Sequence, residues 1–138
     1  MDALFTLATL KNYIIALVVF LAIDMVWLVA IAKSTYNKYL GYLMALNVNF
    51  GAAFLFYLIF IAGILYFVIN PALAKDSWQY ALLAGMFFGL ITYSTYDLTN
   101  QATIRDWPVF ITVIDLIWGT CLSGATALFS FLIIRAVG

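Results

Sequence analysis

The chain contains no histidine and no glutamate. Without histidine it lacks the usual acid or base at neutral pH and the commonest metal ligand. A single cysteine, Cys121, excludes an internal disulfide and a cysteine-rich metal site. Its expected role is that of a small buried hydrophobe. Charge is scarce, at 9% of residues against about 25% in soluble domains. The six cations form no basic cluster, so no nucleic-acid partner is expected. They divide three against three between the two expected sides of a membrane (Lys11, Lys75 and Arg135; Lys33, Lys38 and Arg105), which assigns no orientation.

What is abundant is apolar surface. Apolar residues make up 67% of the chain, well above the roughly 45–50% of soluble domains. A helix needs about 20 such residues to cross a bilayer. Four segments qualify, at about 12–32, 47–69, 77–98 and 108–136. The expected fold is all-α: one polytopic domain over residues 1–138, a four-helix transmembrane bundle with both termini on the same side. Asn70-Pro71 is expected to end the second helix. Asp106-Trp107-Pro108 is expected to start the fourth, with a capping acid and an early proline. Only Lys11 precedes the first apolar run and no clean cleavage site follows it, so that run reads as a retained helix. Residues 1–10 are expected to form a short interfacial helix. Residues 33–46, with Tyr36, Tyr39 and Tyr42, read either as an interfacial aromatic belt or as a lid over a polar site. Trp78 and Trp107 read as interface anchors.

Against this background three acids stand out: Asp24, Asp97 and Asp115. A carboxylate at the bilayer centre costs roughly 3 kcal/mol or more, which marks each as a candidate functional residue. Counted at 1.5 Å per residue, all three fall in the half of the bilayer nearest residues 33–46 and 99–107. Asn47, Asn49, Asn100, Gln101 and Arg105 fall there too. The expectation is a polar cavity open, or nearly open, to that loop face. Two acids share a local pattern, Ile23-Asp24-Met25-Val26-Trp27 and Ile114-Asp115-Leu116-Ile117-Trp118. Each tryptophan lies three residues beyond its acid and so on the same helix side. Indoles can donate to a carboxylate, wall a pocket or hold a cation. On the third helix Gly85 and Gly89 form a small-xxx-small pair that admits a close neighbour, and four-residue steps lead on to Tyr93 and Asp97. Thr112, Asp115, Gly119, Ser123 and Thr126 share a face of the fourth helix. The candidate ligand- or proton-binding residues are therefore Asp24, Asp97, Asp115, Trp27, Trp118, Tyr93, Tyr96 and Asn100.

The run Tyr96-Asp97-Leu98-Thr99-Asn100-Gln101-Ala102-Thr103, with Trp107 and then Asp115-Leu116-Ile117-Trp118-Gly119, resembles a family of small bacterial membrane proteins described as a predicted membrane domain of unknown function. Asp24 and Trp27 match its first-helix pattern. The resemblance spans the chain and implies a four-helix protein of the bacterial inner membrane; it carries no catalytic role.

Three functions are compatible with these residues. The first is binding or transport of a small cationic or amphipathic molecule, coupled to proton exchange on the carboxyls. No cofactor is expected, and the partners are membrane lipid, the small ligand and further copies of the chain. The second is a membrane-embedded enzyme acting on a lipid, with Mg²⁺ or Mn²⁺ held by the three acids. The absence of a cationic phosphate clamp beyond Arg105 weighs against it. The third is a structural or accessory subunit whose polar cluster joins helices.

Overall fold

Among the described residues, four helices are long and apolar enough to span a membrane: α1 Leu7–Leu40, α2 Phe50–Lys75, α3 Trp78–Thr103 and α4 Val109–Val137. The structure, a computed structural model, describes residues 6–45, 47 and 49–138. Among the described residues there is no strand. The expected interfacial helix over 1–10 lies outside the described residues for its first five positions; Leu7 to Leu10 are the first turn of α1.

Helix starts follow local chemistry. Thr6, Asn49 and Ser77 each accept a backbone N–H from the first turn of α1, α2 and α3, with Asn49 Oδ1 3.1 Å from Ala52 N and Ser77 Oγ 3.0 Å from Tyr80 N. At α4 the expected acidic cap is absent. Pro108 occupies the cap position without a side-chain bond, and Asp106 takes a left-handed conformation at φ 61° in the turn before it.

Four boundaries differ from expectation: α1 begins at Leu7 rather than near Asn12, α3 runs to Thr103 rather than ending near Leu98, and two further ends lie beside π-helical segments. The first helix does not stop near Ala32; it passes through a π segment at Leu28–Ala32 and continues to Leu40. At 34 residues it is about 51 Å long, against a hydrocarbon core of about 30 Å. Its polar last turns therefore project beyond the core. Asn70-Pro71 does not end the second helix. A π segment at Leu65–Ile69 precedes it, and the wider turn gives the Pro71 ring room against the turn before it. Asp76, left-handed at φ 52°, ends the helix instead.

The α3–α4 pair is the tightest contact. A Cβ on Gly89 would lie 2.6 Å from Ser123 Oγ and collide with the Gly119 carbonyl oxygen; one on Gly85 would lie 2.7 Å from Ala127 Cβ. The backbones thus approach where only glycine fits, the small-residue packing of membrane helices. The buried face of α4 includes Thr112, Asp115, Gly119, Leu122, Ser123 and Thr126. Cys121, expected to be buried, is exposed, because it falls between Gly119 and Ser123 in sequence but on the opposite side of the helix. Ala16, Phe20 and Asp24 are the buried residues of α1 up to Trp27. Helix α2 has its fully buried residues only from Phe60 onward; before that it meets α1 through the half-buried Tyr57 and through the Leu58 carbonyl, which accepts from the Tyr13 hydroxyl at 2.7 Å. At the far end an exposed pair, Arg135 Nε to Asp76 Oδ1 at 3.0 Å, ties α4 to the turn before α3.

The seam yields a test. Gly89→Ala should lower the thermal midpoint in detergent by several degrees, since overpacking costs about 1–3 kcal/mol. Gly51→Ala, whose Cβ would meet only Asn49 Oδ1 at 3.4 Å, should leave it unchanged or slightly raised. Equal midpoints for the two variants would refute the seam.

Candidate functional site

Four helices place their side chains around one cavity of about 390 Å³, lined by Asp24, Trp27, Leu28, Tyr36, Phe56, Thr92, Tyr93, Tyr96, Asp115 and Trp118. Both Ile-Asp-x-x-Trp segments meet there. The Trp27 and Trp118 rings stack with centroids 4.4 Å apart and planes 9° from parallel, an arrangement worth about 0.5–1.5 kcal/mol beyond burial. Asp24 and Asp115, both 7% exposed, approach from α1 and α4.

Each acid has a different set of neighbours. Asp24 accepts a long hydrogen bond, 3.3 Å, from the Tyr57 hydroxyl of α2. The Trp118 indole lies within reach of Asp24, though its N–H meets no acceptor in hydrogen-bond geometry. Asp115 accepts a hydrogen bond from the Tyr36 hydroxyl, and Tyr36 in turn neighbours the Trp27 indole. Asp97 is fully buried and lies beside the Asp115 carboxyl. Neither of its oxygens meets a donor in hydrogen-bond geometry. The Tyr93 hydroxyl stands within electrostatic reach of all three carboxyls. Its ring rests on Gly119, where any Cβ would collide with it.

Of the eight candidate residues, six line the cavity: Asp24, Trp27, Tyr93, Tyr96, Asp115 and Trp118. Asp97 stands off the wall, behind Asp115, and Asn100 meets the Tyr96 hydroxyl. Sequence reasoning missed Leu28, Phe56, Tyr57 and Thr92, and left Tyr36 between belt and lid. The signal for Tyr57 was available, since it is the one hydroxyl in the apolar run Phe50–Ile64. Leu28 and Phe56 carry no signal, because an apolar wall residue looks like any lipid-facing one.

Among the described residues, several side chains reach across the loop face. Tyr36 reaches over to Asp115. Leu40, Trp107 and Ile111 form a small buried cluster with Tyr39 and Ile104 against it. Tyr42 donates to the Asp106 carbonyl at 2.7 Å. Trp107, expected as an anchor, is buried and its Nε1 donates to Thr112 Oγ1 at 3.0 Å. The π segment in α1 explains this placement. Four-residue steps such as Asp24, Leu28, Ala32, Tyr36 and Leu40 drift by about 40° each in a regular α-helix. The wider π turn rotates less per residue and returns part of that drift, keeping Tyr36 and Leu40 on the side of Asp24.

The family model described as "Predicted membrane protein (DUF2177)" matches residues 9–132, in agreement with the resemblance carried by residues 96–103 and 115–119. No curated protein and no solved structure matches the chain.

The unpartnered Asp97 carboxyl generates a prediction. Asp97→Asn keeps the shape and lets the new amide donate to Asp115, so it should leave the thermal midpoint unchanged or raise it. Asp97→Ala, which opens a void, should lower it. A loss with Asn as large as with Ala would mean that the acid is needed for assembly of the bundle.

Proposed function

The chain belongs to this DUF2177 family of predicted membrane proteins, and we propose that it binds and carries a small cationic or amphipathic molecule in the cavity between α1, α2, α3 and α4. The observation that carries this reading is that Asp24 and Asp115 line one cavity together with the stacked Trp27 and Trp118. Two carboxyls supply charge for a cation, and tryptophan and tyrosine faces attract it further. The volume lies within the roughly 300–1,000 Å³ range of small-molecule sites. A carboxyl left behind by a departing cation is costly inside a bilayer. Taking up a proton removes that cost, which couples ligand release to protonation in this reading. A bacterial inner membrane and a homo-oligomeric state belong to the same proposal.

The lipid-enzyme alternative, with Mg²⁺ or Mn²⁺, asks three acids to converge on one ion. Among the described residues no group of three acidic side chains does so. Arg105 is exposed in the turn before α4, so it offers no clamp for a phosphate at the cavity. A purely structural role would rest on Asp97 sharing a proton with Asp115 across α3 and α4; it leaves unexplained why Asp24 and Asp115 line a cavity.

Phenyltrimethylammonium is a suitable probe, with a permanent cation and one ring. Calorimetric titration into protein in lipid nanodiscs should show saturable binding that Asp24→Asn and Asp115→Asn each weaken at least tenfold, about 1.4 kcal/mol. Protons compete for the same carboxyls, so affinity should fall as the buffer is acidified. Absence of binding, or binding indifferent to both substitutions, would overturn the proposal.

A further inference from the structure

Three cavity residues are also exposed on the outside of the bundle: Leu28 at 38%, Phe56 at 48% and Tyr96 at 58%. They come from α1, α2 and α3 and frame a mouth where α2 leaves the core. No residue from Phe50 to Ile59 is fully buried, and the contacts of this half of α2, through Tyr57 and Leu58, go to α1 rather than α3. The depth of the mouth follows from a rise of 1.5 Å per residue. Leu28 lies about 8 Å below Lys33, Phe56 about 9 Å inside the start of α2, and Tyr96 about 10 Å inside the end of α3. The mouth therefore opens below the helix ends, towards acyl chains. The side facing water is covered by Tyr36, Tyr42 and the Leu40–Trp107–Ile111 cluster.

We infer that the cavity is reached from the bilayer and that its ligand is a single-chain cationic amphiphile, an amine or quaternary ammonium on a hydrocarbon tail. This rests on the cation-binding reading above and adds the tail and the route. The head sits between Asp24 and Asp115 under the indoles. The tail leaves past Leu28 and Phe56, which are apolar and exposed, while the carboxyls of Asp24 and Asp115 are buried. A water-soluble cation lacking a tail gains nothing from such a mouth. A chain threaded through it lies among acyl chains instead of meeting water.

The test uses the indoles at the cavity. In a Trp78→Phe/Trp107→Phe variant, Trp27 and Trp118 are the remaining tryptophans. The protein is placed in nanodiscs whose lipids carry bromine on their acyl chains. The lipid bromine should quench more than half of the indole fluorescence, and aqueous acrylamide should quench little. Saturating dodecyltrimethylammonium should relieve at least half of the lipid quenching by displacing an acyl chain from the mouth. Phenyltrimethylammonium, followed by heat on the same sample, should bind without comparable relief. Strong acrylamide quenching, no lipid quenching, or quenching that dodecyltrimethylammonium leaves unchanged would overturn the inference. Loss of phenyltrimethylammonium binding with lipid quenching intact would instead overturn cation binding alone. If Trp107→Phe fails to fold, Trp78→Phe compared with Trp78→Phe/Trp118→Phe isolates the Trp118 signal and decides the same outcomes.

Discussion

The close approach of α3 and α4 is the constraint on which the rest depends. Gly85 and Gly89 let the α3 backbone settle against Ser123, Gly119 and Ala127. Once those backbones touch, the positions above them are fixed in depth and direction. Tyr93 has to lie flat over Gly119, and Asp97 has to sit beside Asp115. Membrane helices gain no hydrophobic drive from meeting one another, so such contact comes from small residues and van der Waals packing. Here that contact holds two carboxyls inside a low-dielectric bundle.

Helices α1 and α2 complete the site in opposite ways. Helix α1 wraps it: Asp24 and Trp27 enter the cavity, the π segment corrects the helical drift, and Tyr36 reaches Asp115 from beyond the turn. Helix α2 anchors through its second half, where Phe60, Ile61 and Ile64 are buried, and through its first touches α1 by Tyr57 and Leu58 and lines the cavity with Phe56. One helix covers the side facing the loops, and the other leaves a gap at the depth of lipid chains. The asymmetry follows from sequence. Residues 33–40 are polar with tyrosines spaced for contact, whereas Phe50–Ile59 is apolar apart from Tyr57, which turns to Asp24.

Much of this was legible in the residues. Four apolar runs gave four spans, because backbone groups in lipid must be satisfied within helices. The spacing of Gly85, Gly89, Tyr93 and Asp97 pointed along the face that α3 turns to α4. The repeated Ile-Asp-x-x-Trp segments, weak as a motif, correspond to the Trp27–Trp118 stack. What escaped has physical causes. Helix ends were misplaced at Ala32 and Asn70-Pro71 because π turns absorb changes that a regular α-helix does not, and hydropathy does not register them. Trp107 resembles an anchor because aromatic residues near helix ends suit interfaces equally well; packing on Leu40 and Ile111 and the hydroxyl of Thr112, five residues on, turn it inward. The cover over the loop face depends on long-range contacts such as Tyr36 with Asp115, which no local pattern encodes.

The central claim is that Asp24 and Asp115 form one cation site under two stacked indoles. Anomalous X-ray diffraction from crystals containing a dodecyltrimethylarsonium ion tests it most directly, because arsenic marks the position of the charged head. The account predicts one arsenic peak between the Asp24 and Asp115 carboxyls beside the Trp27–Trp118 pair, lost in crystals of Asp115→Asn. Arsenic bound elsewhere, with the cavity intact and empty of it, would contradict the account.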